Sequence, residues 1–269
     1  MRHATLAVGT LGHGPPVVLL HGLAASERMW GAAFDELGAH HHVVVPDLLG
    51  FGASPKPPGD YGPDEHAAAV LATLDDLDAT EPAVVVGHSL GALIGIHLAV
   101  THPERVAAVV GFATPLYRDE GEARRHIGRL GFMARAFSLD TVLADRICKW
   151  VCDHRRLAAS IAVITRPDLP APVARDGVQH TWPSYSGSLR NVVLSANARA
   201  ELERLPVPAH LVTGTRDRIS PPGLIDDLPT TSRVTIETWV DAGHDLPLTE
   251  PGRCVETIRR VATMVNVDG

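Results

Sequence analysis

The run Gly87-His88-Ser89-Leu90-Gly91 is the strongest chemical pattern in the chain, because it sets a serine between two glycines. An apolar run at Ala83–Val86 precedes it, and Leu90–Val100 has the composition of a helix. A serine at a sharp strand-to-helix turn exposes its hydroxyl above the sheet, and the glycines relieve the crowding of that turn. We therefore predict that Ser89 is a nucleophile.

A serine nucleophile needs a base within hydrogen-bond reach and a third group that orients the base. The chain has 15 histidines, so position must select among them. His244 follows the last predicted strand and precedes the last predicted helix, which puts it at the same sheet edge as Ser89. His97 and His210 fall inside a helix and a strand, where a packing role is expected. His88 is at most a pocket-lining residue, because neighbours on a turn point apart.

Asp217 is the expected acid, since it leaves the sheet just after the run Leu211–Val212. The chain order serine, aspartate, histidine also fits this assignment. Asp241 and Asp245 are rivals, but they are so close to His244 in sequence that reaching its far ring nitrogen would be awkward.

The segment His21-Gly22-Leu23 directly follows the apolar run Val17–Leu20. Gly22 lets the backbone turn, so that the amide of Leu23 points at a reacting carbonyl. The amide of Leu90, next to the nucleophile, is the second expected donor of this oxyanion hole.

Short β-branched runs that alternate with longer alanine-rich segments predict a mostly parallel sheet covered by helices. Arg2–Thr10 is expected to be an antiparallel edge strand. The remaining strand predictions are Val17–Leu20, Val43–Val45, Ala83–Val86, Val106–Val110, Leu211–Val212 and Val234–Ile236. Ser26, Asp64 and Thr249 are candidate N-caps of helices.

No convincing strand occurs between Pro115 and Pro206, where apolar residues recur with a helical period. We predict a helical cap over residues 116–205, inserted into a core domain of residues 1–115 and 206–269. Such a cap would cover the carboxyl edge of the sheet, where open α/β sheets bind ligands.

The composition bounds the function. A chain of 269 residues with 45% hydrophobic content can bury one large core. The formal charge of −7 and the absence of a basic run argue against nucleic acid, and no apolar run is long enough to suggest a membrane segment. Three sparse cysteines do not suggest disulfides, and a cytoplasmic location is expected. A small-molecule substrate is the expected partner, and no feature indicates an oligomeric state.

Taken together, these motifs resemble the α/β-hydrolase superfamily over essentially the whole chain. The matching segments are His21-Gly22, Asp47–Ser54, Gly87–Gly91, the Gly-x-x-Asp frame of Asp217, and Gly243-His244. The resemblance implies an eight-stranded sheet, a triad of Ser89, Asp217 and His244, and an oxyanion hole from Leu23 and Leu90. It implies no cofactor and no metal. It also implies that the Asp47–Ser54 loop braces the oxyanion loop.

Within this superfamily, a serine at position 89 excludes the dehalogenases and epoxide hydrolases, which carry aspartate there. Carbon–carbon hydrolases of the meta-cleavage type resemble the chain in size and cap placement. They often carry asparagine before the serine, arginine late in the cap and tryptophan after the histidine. Here His88 takes the first place, Arg190 alone fits the second, and the third is absent. A salt-bridged cap residue is the preferred interpretation of Arg190.

Hydrolysis of a small-to-medium neutral carboxylic ester or lactone, through an acyl-enzyme, is therefore the leading function. Carbon–carbon, thioester and perhydrolytic cleavage use the same triad, and a ligand receptor with an intact but slow triad is the alternative from another class. The cap holds a large share of the few aromatic residues and is expected to form an apolar pocket. The predicted pocket residues are His88, Trp150, Trp182 and Arg190, and the other cap aromatics are Phe132, Phe137 and Tyr185.

Overall fold

A computed structural model describes residues 5–131, 142–226, 228 and 233–267 of the chain. Its centre is a seven-stranded sheet in the order β1-β3-β2-β4-β5-β6-β7. Strand β1 runs antiparallel to β3, and the other pairs are parallel. The strands are β1 (Val8–Leu11), β2 (Pro16–Leu20), β3 (His42–Pro46), β4 (Ala83–His88), β5 (Val106–Phe112), β6 (Ala209–Gly214) and β7 (Val234–Trp239).

The described residues thus contribute seven strands, whereas the family resemblance implied eight. Each of the seven runs identified from the sequence overlaps one observed strand. The eighth strand had no apolar run of its own in this chain. The expectation of a mostly parallel sheet covered by helices is confirmed.

The central strands are buried on both faces, as their unbroken apolar runs predict. Because successive side chains of a strand point to opposite faces, alternate residues enter different cores. Val18 and Val85 pack in the core on one face. Val17 and Val86 pack in the core on the other.

Helices cover both faces of the sheet, and helices also make up the described part of residues 116–205. The α-helices of the described residues are α1 (Pro63–Asp76), α2 (Leu90–Thr101), α3 (Glu120–Gly128), α4 (Val142–Asp153), α5 (Arg155–Thr165), α6 (Ala171–Asp176), α7 (Trp182–Ser188), α8 (Ala198–Glu203), α9 (Leu246–Thr249) and α10 (Pro251–Val267). One π-helical turn, Leu189–Val193, continues α7.

Two of the three predicted N-caps differ from the structure. Ser26 does cap a helix, accepting a hydrogen bond from the amide of Arg28, but that helix is a short 3-10 turn. Gly31, with a φ of 59°, separates this turn from the next 3-10 helix, Ala32–Ala39. Asp64 lies inside the first turn of α1, whose N-cap is Gly62. Thr249 ends α9 instead of capping α10.

Between residues 116 and 205 the described part of the chain contains helices and no strand. Phe132 and Phe137, two of the aromatic residues expected in the cap, lie outside the described residues. None of the helices that the structure describes is both long enough and apolar enough to cross a lipid bilayer.

Candidate active site

Ser89 lies on the sharp turn between β4 and α2. Its backbone has a φ of 50° and a ψ of −111°, a left-handed conformation that a non-glycine residue rarely adopts. The amide of Ser89 donates a 2.9 Å hydrogen bond to the carbonyl of Phe112 at the end of β5, which holds the turn in place. Such strain persists where the surrounding structure fixes it, and it is concentrated at functional sites.

The glycines around Ser89 are required because no larger residue would fit at their positions. A Cβ atom on Gly87 would lie 2.2 Å from the amide nitrogen of Ala92, and one on Gly91 would lie 2.2 Å from the carbonyl oxygen of Leu20. Both contacts are with backbone, which has little freedom to move. The glycines therefore allow the tight turn and the close approach of α2 to β2.

His244 lies in the loop between β7 and α9, and its Nδ1 is 2.9 Å from Oδ2 of Asp217. The other carboxylate oxygen of Asp217 accepts hydrogen bonds of 2.8 Å from the amides of Ile219 and Ser220. Burial would raise the pKa of Asp217, but these hydrogen bonds and the charge interaction with His244 outweigh it and lower the pKa. Asp217 is thus an anion held against His244.

The rival acids point elsewhere. Asp241 is exposed, and its carboxylate pairs with Arg216 at 2.8 Å. Asp245 precedes α9 and lines the cavity described below. The hydrogen-bond partner of the His244 ring in the structure is the carboxylate of Asp217.

The loop after β2 is held by hydrogen bonds to the segment that follows β3. His21 is fully buried; its Nδ1 lies 2.8 Å from the carbonyl of Gly22, and its Nε2 accepts a 2.8 Å hydrogen bond from the amide of Leu48. The carboxylate of Asp47 accepts 2.7 Å hydrogen bonds from the amides of Glu27 and Ala53. The segment Asp47–Ser54 is therefore tied to the loop that carries Leu23.

A cavity of about 450 Å³ lies above the sheet edge, and Ser89, His88 and His244 line it together with Leu23. Leu90, the first residue of α2, is fully buried beside it. Most of the remaining lining is apolar and comes from residues 116–205. These residues are Ile127, Leu130, Ala162, Leu169, Val173, Ala174, Val178, Tyr185, Leu189 and Val193.

Only one of the four predicted pocket residues, His88, lines this cavity. Trp150, Trp182 and Arg190 are not among the described residues that line it. Trp150 stacks on His154 with ring centroids 5.1 Å apart, and Trp182 stacks on Tyr185, which does line the cavity. Arg190 lies at the exposed surface. Helical periodicity predicted that residues 116–205 are helical, but the packing of each helix decided which side chains turn inward.

The sequence did not single out Arg166 as a pocket residue. It follows α5 and is the one arginine or lysine among the described lining residues. Its guanidinium is 2.8 Å from Asp168, an interaction that raises its pKa, and Asp245 adds a second nearby negative charge. A positive charge late in a helical segment was the available signal, but several arginines share it.

His97 and His210 are packed away from the cavity, as their positions in regular elements suggested. His97 lies between Glu201 and Asp64, at 2.7 and 2.9 Å. His210 contacts Glu237 at 3.0 Å. The described residues hold no cluster of three or more histidine, cysteine or acidic side chains arranged to bind a metal ion.

Comparison with known proteins gives a consistent family. A model of the alpha/beta hydrolase family matches residues 17–257. The chain is 33% identical over 238 residues to a pimeloyl-[acyl-carrier protein] methyl ester esterase of Chromobacterium violaceum, covering 83% of this chain and 86% of that protein.

Solved structures share the fold. A thermophilic esterase from Thermogutta terrifontis superposes with a TM-score of 0.74 at 24% identity, covering 97% of this chain and 93% of that one. The enol-lactonase from Burkholderia xenovorans LB400 superposes with a TM-score of 0.72 at 22% identity, covering 96% of each chain.

Proposed function

The chain belongs to the alpha/beta hydrolase family, and from that premise we propose that it is a serine hydrolase of carboxylic esters with a Ser89-His244-Asp217 triad. The observation that carries the proposal is the hydrogen bond of Asp217 to His244 Nδ1, beside a cavity that Ser89 and His244 share. The strained turn at Ser89 supports the same assignment.

The charge on Asp217 sets the tautomer of the base. A carboxylate only accepts, so His244 Nδ1 carries the proton and Nε2 keeps its lone pair. In the first step Ser89 Oγ attacks the ester carbonyl carbon and passes its proton to His244 Nε2. The carbon–oxygen bond to the alcohol then breaks, and His244 returns the proton to the departing oxygen. Water, activated by His244 in the same way, attacks the acyl-enzyme and releases the acid.

The amides of Leu23 and Leu90 are proposed to stabilise the negative oxygen that forms in these steps. Leu90 is the first residue of α2, so the positive end of the helix dipole also faces the reacting centre. The hydrogen bonds from the amide of Glu27 to Asp47 and from the amide of Leu48 to His21 support this role, because they hold the two sides of the loop on which Leu23 lies.

The cavity favours a neutral, largely apolar acyl group. Its cap lining is apolar, and its one described lysine or arginine, Arg166, is already paired with Asp168 and close to Asp245. Among the described lining residues, an anionic acyl group would therefore meet no unpaired positive charge. The names of the two relatives, a methyl ester esterase and an enol-lactonase, support cleavage of an ester or lactone bond.

Carbon–carbon cleavage of the meta-cleavage type has less support. Of the three sequence features typical of these enzymes, only the arginine late in the cap had a match, Arg190. This residue is exposed and is not among the described residues of the cavity. Fast cleavage of a vinylogous 1,5-diketone with negligible esterase activity would reverse this preference.

We also propose a cytoplasmic location. Cys148, Cys152 and Cys254 are all unbridged, which suits a reducing compartment.

The decisive test is Ser89→Ala. We expect kcat on p-nitrophenyl esters to fall by on the order of 10³-fold or more while the melting temperature is preserved. A fluorophosphonate should add its mass to the wild type and not to the variant. Equal labelling of both proteins would contradict the assignment, and a single turnover without steady-state hydrolysis would favour a receptor.

A further inference from the structure

The side chain of His88 lies between the loops that carry the other functional groups. Its Nε2 is 3.0 Å from the carbonyl oxygen of His244, and the two rings meet edge to face with centroids 4.9 Å apart. On the other side, its Nδ1 is 2.7 Å from the position that a Cβ on Gly22 would occupy. The side chain therefore contacts both the loop that carries Leu23 and the loop of residues 240–245 that carries His244, here called the base loop.

The contacts fix the protonation of His88. A carbonyl oxygen only accepts, so Nε2 of His88 carries a proton and donates a hydrogen bond to the backbone carbonyl of His244. Nδ1 is buried, and no described residue forms a hydrogen bond with it. Burial, helped by the nearby His244, lowers the pKa of His88 to about 3, so the ring stays neutral across the pH range of enzyme assays.

We infer that His88 is a positioning residue, whose Nε2–H hydrogen bond fixes the backbone of His244 relative to the turn that carries Ser89. This inference rests on the proposed function. The His244 loop spans only a few residues between β7 and α9, and a hydrogen bond at the carbonyl of His244 limits its movement. An imidazole held in this way keeps its alignment with Asp217 and with the serine.

The competing explanation is that His88 only fills space. Variants whose side chains differ in length distinguish this explanation from a role of the hydrogen bond. In His88→Gln the terminal amide nitrogen replaces Nε2 and can still donate to the carbonyl of His244. In His88→Asn the amide ends near the position of Nδ1, beside Gly22, and falls short of that carbonyl. Both variants are neutral and polar, so they differ chiefly in the hydrogen bond.

The experiment measures the rate at which a fluorophosphonate labels Ser89 in the full chain, as a function of pH. We expect His88→Asn to slow labelling by about three- to tenfold, the effect of one hydrogen bond, and His88→Gln to stay within about twofold of the wild type. The titratable groups that face His88 are His244, Asp217 and His21. With Asn, the misaligned imidazole loses part of the support of Asp217 for its charged form, so the midpoint of the profile should move to lower pH.

His66→Asn is the matched control, because His66 is equally buried but its Nε2 contacts Ser188, away from the base loop. It should lower the melting temperature without moving the midpoint. If His88→Asn does not fold, His88→Phe fills the ring volume without a donor and carries the same expectations.

Three results would overturn the inference: an Asn variant with an unchanged rate, a Gln variant as slow as Asn, or a slower rate with an unmoved midpoint. If the wild type is not labelled at all, the proposed function itself fails. The two failures are therefore distinguishable.

Discussion

At the scale of single residues, the carboxylate of Asp217 controls both the tautomer and the charge of the proposed base. It is buried, and each of its oxygens is hydrogen-bonded. An amide in its place could donate to Nδ1, which would leave the proton of His244 on Nε2, the nitrogen that must accept the proton of the serine.

Asp217→Asn should therefore lower kcat on p-nitrophenyl butyrate by on the order of 10³- to 10⁴-fold, with little change in KM. Asp241→Asn is the matched control, since Asp241 is an exposed partner of Arg216. A surface ion pair contributes little, so that variant should stay within about twofold of the wild type. A silent Asp217→Asn with a crippled Asp241→Asn would show that the acid is misassigned.

At the scale of elements, His97 joins three helices, because it lies on α2 between Asp64 of α1 and Glu201 of α8. Burial lowers the pKa of His97, but the hydrogen bonds to Glu201 and Asp64 outweigh burial and raise it. Glu201 is buried while the carboxylate of Asp64 is largely exposed, so Glu201 is the stronger partner.

The raised pKa of His97 predicts the direction in which the stability of the fold changes with pH. The charged form of His97 should stabilise the fold fully below its ordinary pKa of 6.5, and this contribution should disappear as pH rises through the higher pKa of the folded state. His97→Gln keeps hydrogen bonding but removes the titration. In urea unfolding, the free-energy difference between wild type and variant should shrink by roughly 1 kcal/mol between about pH 6 and pH 9. A difference that grows with pH would refute the assignment.

The contact of α2 with β2 depends on glycine. Because a Cβ on Gly91 would lie 2.2 Å from the carbonyl oxygen of Leu20, Gly91→Ala should destabilise the protein by roughly 1–3 kcal/mol and reduce turnover. Gly252→Ala in α10 is the control, since its added Cβ meets nothing within 4 Å. That variant should be neutral or slightly stabilising in the same unfolding assay. Equal effects of the two substitutions would contradict the steric explanation.

At the scale of the whole molecule, residues 116–205 and the rest of the chain together line the cavity that is proposed to hold the acyl group. Each methylene that enters the cavity should contribute about 0.8 kcal/mol, or about fourfold in kcat/KM, until the space is full. We expect kcat/KM to rise over the first few carbons of a p-nitrophenyl ester series and then to fall. A flat profile would count against an apolar pocket.

The same series tests which turn of α5 lines the pocket. Ala162 faces the cavity, so Ala162→Phe should move the optimum to shorter acyl chains. Ala159 lies one turn earlier and is not among the described lining residues, so Ala159→Phe should leave the optimum in place. A shift with Ala159→Phe alone would place the acyl chain elsewhere.

The sequence by itself determined the local features of this protein. The turn at Ser89 was predictable because a buried run, two glycines and a helical segment act over a few neighbouring residues. The order of the strands along the chain was predictable because parallel strands buried on both faces leave unbroken apolar runs. Ser89, His244 and Asp217 could be placed at one sheet edge on that basis.

Only the tertiary structure decided which side chains meet. The carboxylate on His244 is that of Asp217, 27 residues away, and the carbonyl of His244 accepts from His88, 156 residues away. Within residues 116–205, Arg166 lines the cavity, whereas Arg190 is exposed and is not among its described lining residues. Helical periodicity gives a face, but the rotation of each helix against its neighbours fixes where that face points, and this rotation depends on packing between residues distant in sequence.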